Sequence, residues 1–231
     1  MIYILVFTIL LLLIAGPRLW IRHVLKKYGD PMPSLPGTGG ELADHLIKRF
    51  QLEGVKVEKT ESGNDHYSPS EKRVRLSPEF YEGRSLTAVA VAAHEVGHAI
   101  QYHRRETITH LRDRYTPMAM RIQQMGTVIL IASPLVLAIV HIPQLALLTV
   151  LAGVIAMLAS ALMQLIILPM EWDASFNKAM PILFQGEYLS RHHQPAVKKI
   201  LTAAALTYFA GALVEVFQLW RWLAILKGIF R

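Results

Sequence analysis

Leu86 to Tyr102, LTAVAVAAHEVGHAIQY, contains no Gly-Pro break and sets Leu86, Val89, Ala93, Val96 and Ile100 at helical spacing. The periodicity predicts the central helix of a folded domain. Within it His94-Glu95-Val96-Gly97-His98 carries two histidines four residues apart. On a helix that spacing leaves about 40° of rotation between them, so both imidazoles project from one face toward one metal ion. Glu95, one position on, is placed to act on a water that the ion activates, taking its proton and later delivering it to a leaving amine. Chance alone puts this five-residue pattern in a chain of such composition about two times in a hundred. Gly97 lowers helix propensity but leaves room for another segment to pack closely against the metal-facing turn.

A catalytic zinc needs a third protein ligand and one open position. A third histidine at the extended metzincin spacing is absent, because Arg104 stands there. The other option is a glutamate from a later helix, and Glu171 in Met170-Glu171-Trp172-Asp173-Ala174-Ser175 is the first acid after a long apolar stretch. An acid at the end of such a stretch also occurs as a simple boundary marker. What favours Glu171 as a ligand is where the apolar stretch delivers it.

That stretch is residues 122–170, which carry no Asp, Glu, Lys or Arg and are interrupted by His141-Ile142-Pro143-Gln144. Two membrane helices joined by a tight turn fit it. The hairpin returns the chain to the side it left, beside the helix with the two histidines. Residues 1–17, MIYILVFTILLLLIAGP, are also uncharged. They read as an uncleaved first span, because a basic start and a good cleavage site are both missing. Arg18, Arg22, Lys26 and Lys27 follow at once and place this end in the cytoplasm. Ile200 to Trp220 is a last apolar segment, spanning or interfacial.

Of the 231 residues, 53% are hydrophobic and 18% charged, and the mean hydropathy is +0.34, too apolar for an ordinary soluble domain of this length. With no cysteine there is neither a disulfide framework nor a thiolate site, so a metal must sit on His, Asp or Glu. The formal charge of +7 does not argue for nucleic acid, because basic residues beside apolar spans set topology. No nucleic-acid partner is expected. The expected fold is a mainly α membrane protein with about three to four transmembrane helices. A cytoplasmic zincin-like domain carries the HEVGH helix and a small β-hairpin or sheet, drawn from Val55-Lys56-Val57-Glu58 and Val74-Arg75-Leu76. The expected divisions are an anchor at 1–17, the zincin-like domain at 18–126, a transmembrane hairpin at 127–169, a third-ligand segment at 170–199 and a hydrophobic or interfacial helix at 200–231.

HEVGHAIQ, EWDAS, DHYSP, RLSPEFYEGRSLTAVAVAAHE and LTAAALTYFA together resemble the bacterial YugP-type neutral zinc metallopeptidases of the membrane, over almost the whole chain. The resemblance implies a zinc-dependent membrane protease with one catalytic Zn2+, metal ligands His94, His98 and Glu171, and Glu95 as the catalytic base. The family motif Glu-Phe-Asp-Ala-Ser maps onto Glu171 to Ser175 with Trp172 in place of Phe. A weaker likeness to HtpX-type proteases, whose motif is Glu-x-x-Ala-Asp, matches Glu171 and Ala174 but has Ser175 where the Asp orients a zinc histidine. The orienting partner is thereby left open, with Asp173 one candidate.

The implied partners are a peptide or membrane-protein substrate and the lipid bilayer, in the bacterial cytoplasmic membrane with the site facing the cytoplasm. The oligomeric state is open. Asp65-His66-Tyr67 offers either an oxyanion donor or a loop anchor, and Tyr208 either a site contact or helix packing. His103, His110, His192 and His193 read as solvated surface. Two other functions compete: a non-catalytic scaffold or chaperone with a structural zinc, and a zinc hydrolase acting on non-peptide bonds. Glu95 argues against the scaffold, since a structural site has no use for an unliganded carboxylate beside its metal.

Overall fold

The computed structural model describes residues 2–140 and 143–214. In chain order the elements are α1 (Ile2–Lys27), α2 (Gly39–Arg49), β1 (Lys56–Lys59), β2 (His66–Ser68), β3 (Arg73–Leu76), α3 (Pro78–Tyr81), α4 (Leu86–His103), α5 (Thr109–Val140), α6 (Pro143–Trp172), a π-helical segment (Asp173–Ala179), α7 (Met180–Gln185), a 3-10 turn (Arg191–His193) and α8 (Gln194–Ala205). The described chain is mainly helical. It divides into two compact units, one of Leu19–His110 with Pro169–Thr207, the other of Met1–Arg18, Leu111–Leu168 and Tyr208–Arg231.

The first unit is organised around α4. Ser85 caps it, its hydroxyl accepting the Ala88 N–H at 3.1 Å. Every residue from Thr87 to Gln101 is buried, so the helix is a central rod and not an amphipathic surface helix. Small side chains make this possible: Ala88, Ala90, Ala92, Ala93 and Ala99 let neighbours approach from all sides. α2 is fixed by a capping box in which the Glu41 N–H donates to Thr38 Oγ1 at 3.2 Å and the Thr38 N–H donates to Glu41 Oε2 at 2.7 Å. The end of α1 docks on the same core through buried Val24, and the Thr87 hydroxyl donates to the Leu25 carbonyl at 2.9 Å.

The sheet is mixed, in the order β1-β3-β2. β1 and β3 pair in parallel with Val57 opposite Val74, whereas β2 and β3 are antiparallel with His66 opposite Arg75. The two strands expected from alternation are therefore parallel neighbours. The hairpin is made by β2, a three-residue strand too short to show a period. Tyr67, Val74 and Leu76 face the core. On the β3 strand's other face, Arg75 and Arg73 pair with Glu58.

In the second unit α5 and α6 approach closely: a Cβ added to Gly126 would meet the Ala156 Cβ at 2.8 Å. Val150, Met157 and Ala161 are buried, while Met125, Leu147, Leu151, Ile155 and Leu162 are exposed. Such an apolar surface is what a helix presents to lipid.

Among the described residues one helix is long and apolar enough to cross a membrane, Leu147–Gln185. A second is added if Arg191–Ala205 and Thr207–Val214, bent by 40°, form one span. The sequence leads to three or four. The difference lies largely in what is described: His141, Ile142 and residues 215–231 fall outside the described residues, as do the side chains of residues 1–14 and many between 130 and 146.

Candidate metal centre

His94 and His98 lie on the buried α4, one turn apart, with ring centroids 4.7 Å apart and planes at 80°. Glu171 comes from the last turn of α6 and is 3% exposed. Its Oε2 lies 3.3 Å from His94 Nε2 and 3.2 Å from His98 Nε2. The ligand atoms of the three residues all lie within 4.8 Å of one another. Around a tetrahedral ion with bonds of about 2.0–2.1 Å, neighbouring ligand atoms are about 3.3 Å apart. The two separations between the carboxylate oxygen and the imidazoles match.

Hydrogen bonds behind the rings fix what they present. Gln101 Nε2 donates to the Met170 carbonyl at 3.1 Å and to Asp173 Oδ2 at 2.7 Å. Both its N–H groups are thus committed, so its Oε1, 2.9 Å from His98 Nδ1, must accept. The Ser175 hydroxyl donates to the Leu201 carbonyl at 3.2 Å and accepts from His94 Nδ1 at 3.0 Å. Each ring therefore carries its hydrogen on Nδ1 and, when neutral, turns an Nε2 lone pair toward Glu171. Three electron-pair donors then converge on one point, which is repulsive unless a cation joins them. The alternative puts two protonated imidazoles in the interior around one carboxylate. A single divalent ion resolves the same contacts with neutral rings. The second carboxylate oxygen, Glu171 Oε1, is buried without a hydrogen-bond partner. Two imidazoles and a carboxylate suit zinc.

Glu95 is 6% exposed and makes no hydrogen bond or ion pair among the described residues. Its charge is felt at Asp65, whose carboxyl is pushed up from its usual range, first by burial and then by the neighbouring acids, against the bonds from Ser77. Asp65 accepts the Ser77 N–H at 2.6 Å and the Ser77 hydroxyl at 2.9 Å, which makes it the anchor of the turn into α3. His66 Nδ1 donates to the Asn64 carbonyl at 2.8 Å, and the residue stands opposite Arg75 in the sheet. His103, His110 and His192 are exposed, and the His193 ring lies 4.4 Å from that of His192 with the planes tilted by 55°. Tyr208 belongs to the other compact unit.

Gly97 sits where α4 meets the π-helical segment. An added Cβ would lie 2.9 Å from the Ala174 carbonyl oxygen and 3.3 Å from the Lys178 Cβ. The room the sequence reserves at Gly97 is filled by the segment that carries Ser175. Gln101 and Ser175 are the partners of the two rings. Gln101 has a signal in the sequence, three residues after His98 and so on its face of the helix, but it carries no charge to mark a role. Asp173 reaches His98 through Gln101.

The family model described as "Putative neutral zinc metallopeptidase" matches residues 2–227. The chain is 33% identical over 224 residues to a protein of Bacillus subtilis (strain 168) described as "Putative membrane protease YugP", covering 95% of this chain and 96% of that one. No solved structure matches it significantly. A match over nearly the full length, on a chain whose buried histidines and glutamate form a set that can hold zinc, places the protein in the neutral zinc metallopeptidase family.

Proposed function

We propose that the protein is a membrane-anchored endopeptidase that holds one catalytic zinc on His94, His98 and Glu171 and cleaves peptide bonds at the cytoplasmic surface of a bacterial membrane, with Glu95 as general base. The observation that carries this reading is the convergence of two Nε2 lone pairs and a carboxylate oxygen at 3.2 and 3.3 Å, with each ring's tautomer fixed from behind. When bound, zinc supplies Lewis acidity, lowering the pKa of water toward neutrality and polarising the scissile carbonyl.

The chain's own residues supply the rest. Glu95 accepts the proton of the attacking water and returns it to the amide nitrogen as the C–N bond breaks, so that the amine leaves neutral. Its burial without a partner keeps the carboxylate available for both transfers. Gln101 and Ser175 keep the rings in the ligating tautomer. Peptides and membrane proteins are the substrates this reading implies, because the site is carried on a chain with an apolar helix able to cross a bilayer. The four basic residues after residue 17 favour the cytoplasmic side.

Metal analysis tests the ligand set. The purified parent should hold one zinc per chain, and His94→Ala and Glu171→Ala should each lose it. Full zinc retention by Glu171→Ala would remove the third ligand from the proposal.

A further inference from the structure

Gln101 is held at both its main chain and its side chain. The Glu106 N–H donates to the Gln101 carbonyl at 3.0 Å, while Gln101 Nε2 reaches Asp173 Oδ2 at 2.7 Å. Asp173 in turn receives Asn177 Nδ2 at 2.7 Å on Oδ1 and Lys178 Nζ at 3.0 Å on Oδ2. Lys178 Nζ also lies 3.1 Å from a Glu106 carboxylate oxygen. These contacts close a ring, Gln101 to Asp173 to Lys178 to Glu106 and back to the Gln101 main chain. The ring ties the end of α4 to the π-helical segment. The Lys178, Asp173 and Glu106 side chains are only 15%, 17% and 27% exposed, so the charges interact with little screening by water.

Stability alone is a weak account of such a ring, since partly buried ion pairs often return less than their desolvation removes. The ring does something packing cannot. The two ends of a glutamine amide are nearly the same size, so shape does not decide which faces His98. A carboxylate decides it, because it only accepts. Asp173 draws the amide nitrogen to itself and leaves Oε1 for His98 Nδ1. The Met170 carbonyl favours the same orientation, at a longer 3.1 Å and without a full charge. The π winding is what brings Lys178 into the ring: in an α-helix a residue five positions on is turned about 140° away, whereas i→i+5 bonding returns it to the same side.

We propose that Asp173, held by Lys178 and Glu106, is a positioning residue for His98, setting the Gln101 amide orientation that keeps the His98 hydrogen on Nδ1 and its Nε2 lone pair turned toward the zinc position. The proposal rests on the metallopeptidase reading and goes beyond its ligand set. None of the three ring charges is itself a proposed ligand or the proposed base.

The test is zinc affinity of the full-length protein in detergent, by competition with a chromophoric chelator, with the visible spectrum of the Co2+-substituted protein as second readout. Gln101→Ala and Asp173→Ala should each weaken zinc binding about tenfold or more. The double variant should be no weaker than Gln101→Ala, because without the amide Asp173 has nothing to orient. Lys178→Met should weaken binding by a smaller factor and alter the Co2+ spectrum, and Lys178→Arg should restore both. Parent-like affinity in Asp173→Ala, or losses that multiply in the double variant, would overturn the proposal. If Asp173→Ala does not fold, a parent-like affinity and spectrum in Lys178→Met overturns it instead. A parent protein that binds no zinc in the same titration overturns the metallopeptidase reading, which separates the two failures.

Discussion

At His94 the ring is held by a single hydroxyl, and this makes Ser175 the simplest residue at which to probe the centre. Ser175→Ala removes the acceptor for the Nδ1–H and takes one donor, the hydroxyl, from the Leu201 carbonyl. We expect zinc affinity to fall about 10- to 100-fold with the fold retained, measured by chelator competition and circular dichroism. Unchanged affinity would mean that the hydroxyl does not orient the ring. His94, Glu95 and His98 are legible in the sequence because helix geometry alone fixes the relation of residues one and four positions apart. Their orienting partners are harder to read. A serine and a glutamine carry no charge to mark them, and Ser175 is separated from His94 by the whole of α5 and α6. It stands where HtpX-type proteases have an Asp, yet a neutral hydroxyl meets the same need, accepting from Nδ1–H while its own hydrogen goes to a carbonyl.

Between elements, α4 passes close against the π-helical segment at Gly97. Gly97→Ala gains about 1 kcal/mol of helix propensity. Against that, its Cβ meets the Ala174 carbonyl at 2.9 Å, and a backbone atom cannot swing aside as a side-chain end can. With overpacking against a backbone atom in the upper part of the usual range, about 2–3 kcal/mol, the net should be a destabilisation of about 1–2 kcal/mol, read as a lower Tm in thermal melts of the zinc-free protein. A variant as stable as the parent would show that the contact is loose. The sequence makes α4 legible through the apolar run from Leu86. It does not reveal the parallel pairing of β1 with β3, since alternation marks a strand but not its neighbour. Nor does it reveal the π winding of Asp173–Ala179, which leaves no period of its own in seven residues.

For the molecule as a whole, the proposal requires the metal centre to lie on one side of a membrane that α6 crosses. Residues 62 and 190 belong to the same compact unit and both serines are exposed. In this cysteine-free chain, Ser62→Cys and Ser190→Cys should react alike with an impermeant thiol reagent, and only after the cytoplasmic face is opened. Opposite accessibility would contradict the proposed topology. The apolar stretch 122–170 is evident from composition, whereas the number of crossings is not, because apolar length alone does not distinguish a span from an interfacial helix. The most direct measurement is peptide hydrolysis by Glu95→Gln beside the parent, with zinc determined in the same samples. The amide keeps the shape of the carboxylate but cannot accept the proton, so the variant should retain its zinc and lose at least about 10²- to 10⁴-fold of the parent's cleavage rate. Undiminished cleavage by a zinc-replete Glu95→Gln protein would contradict the account.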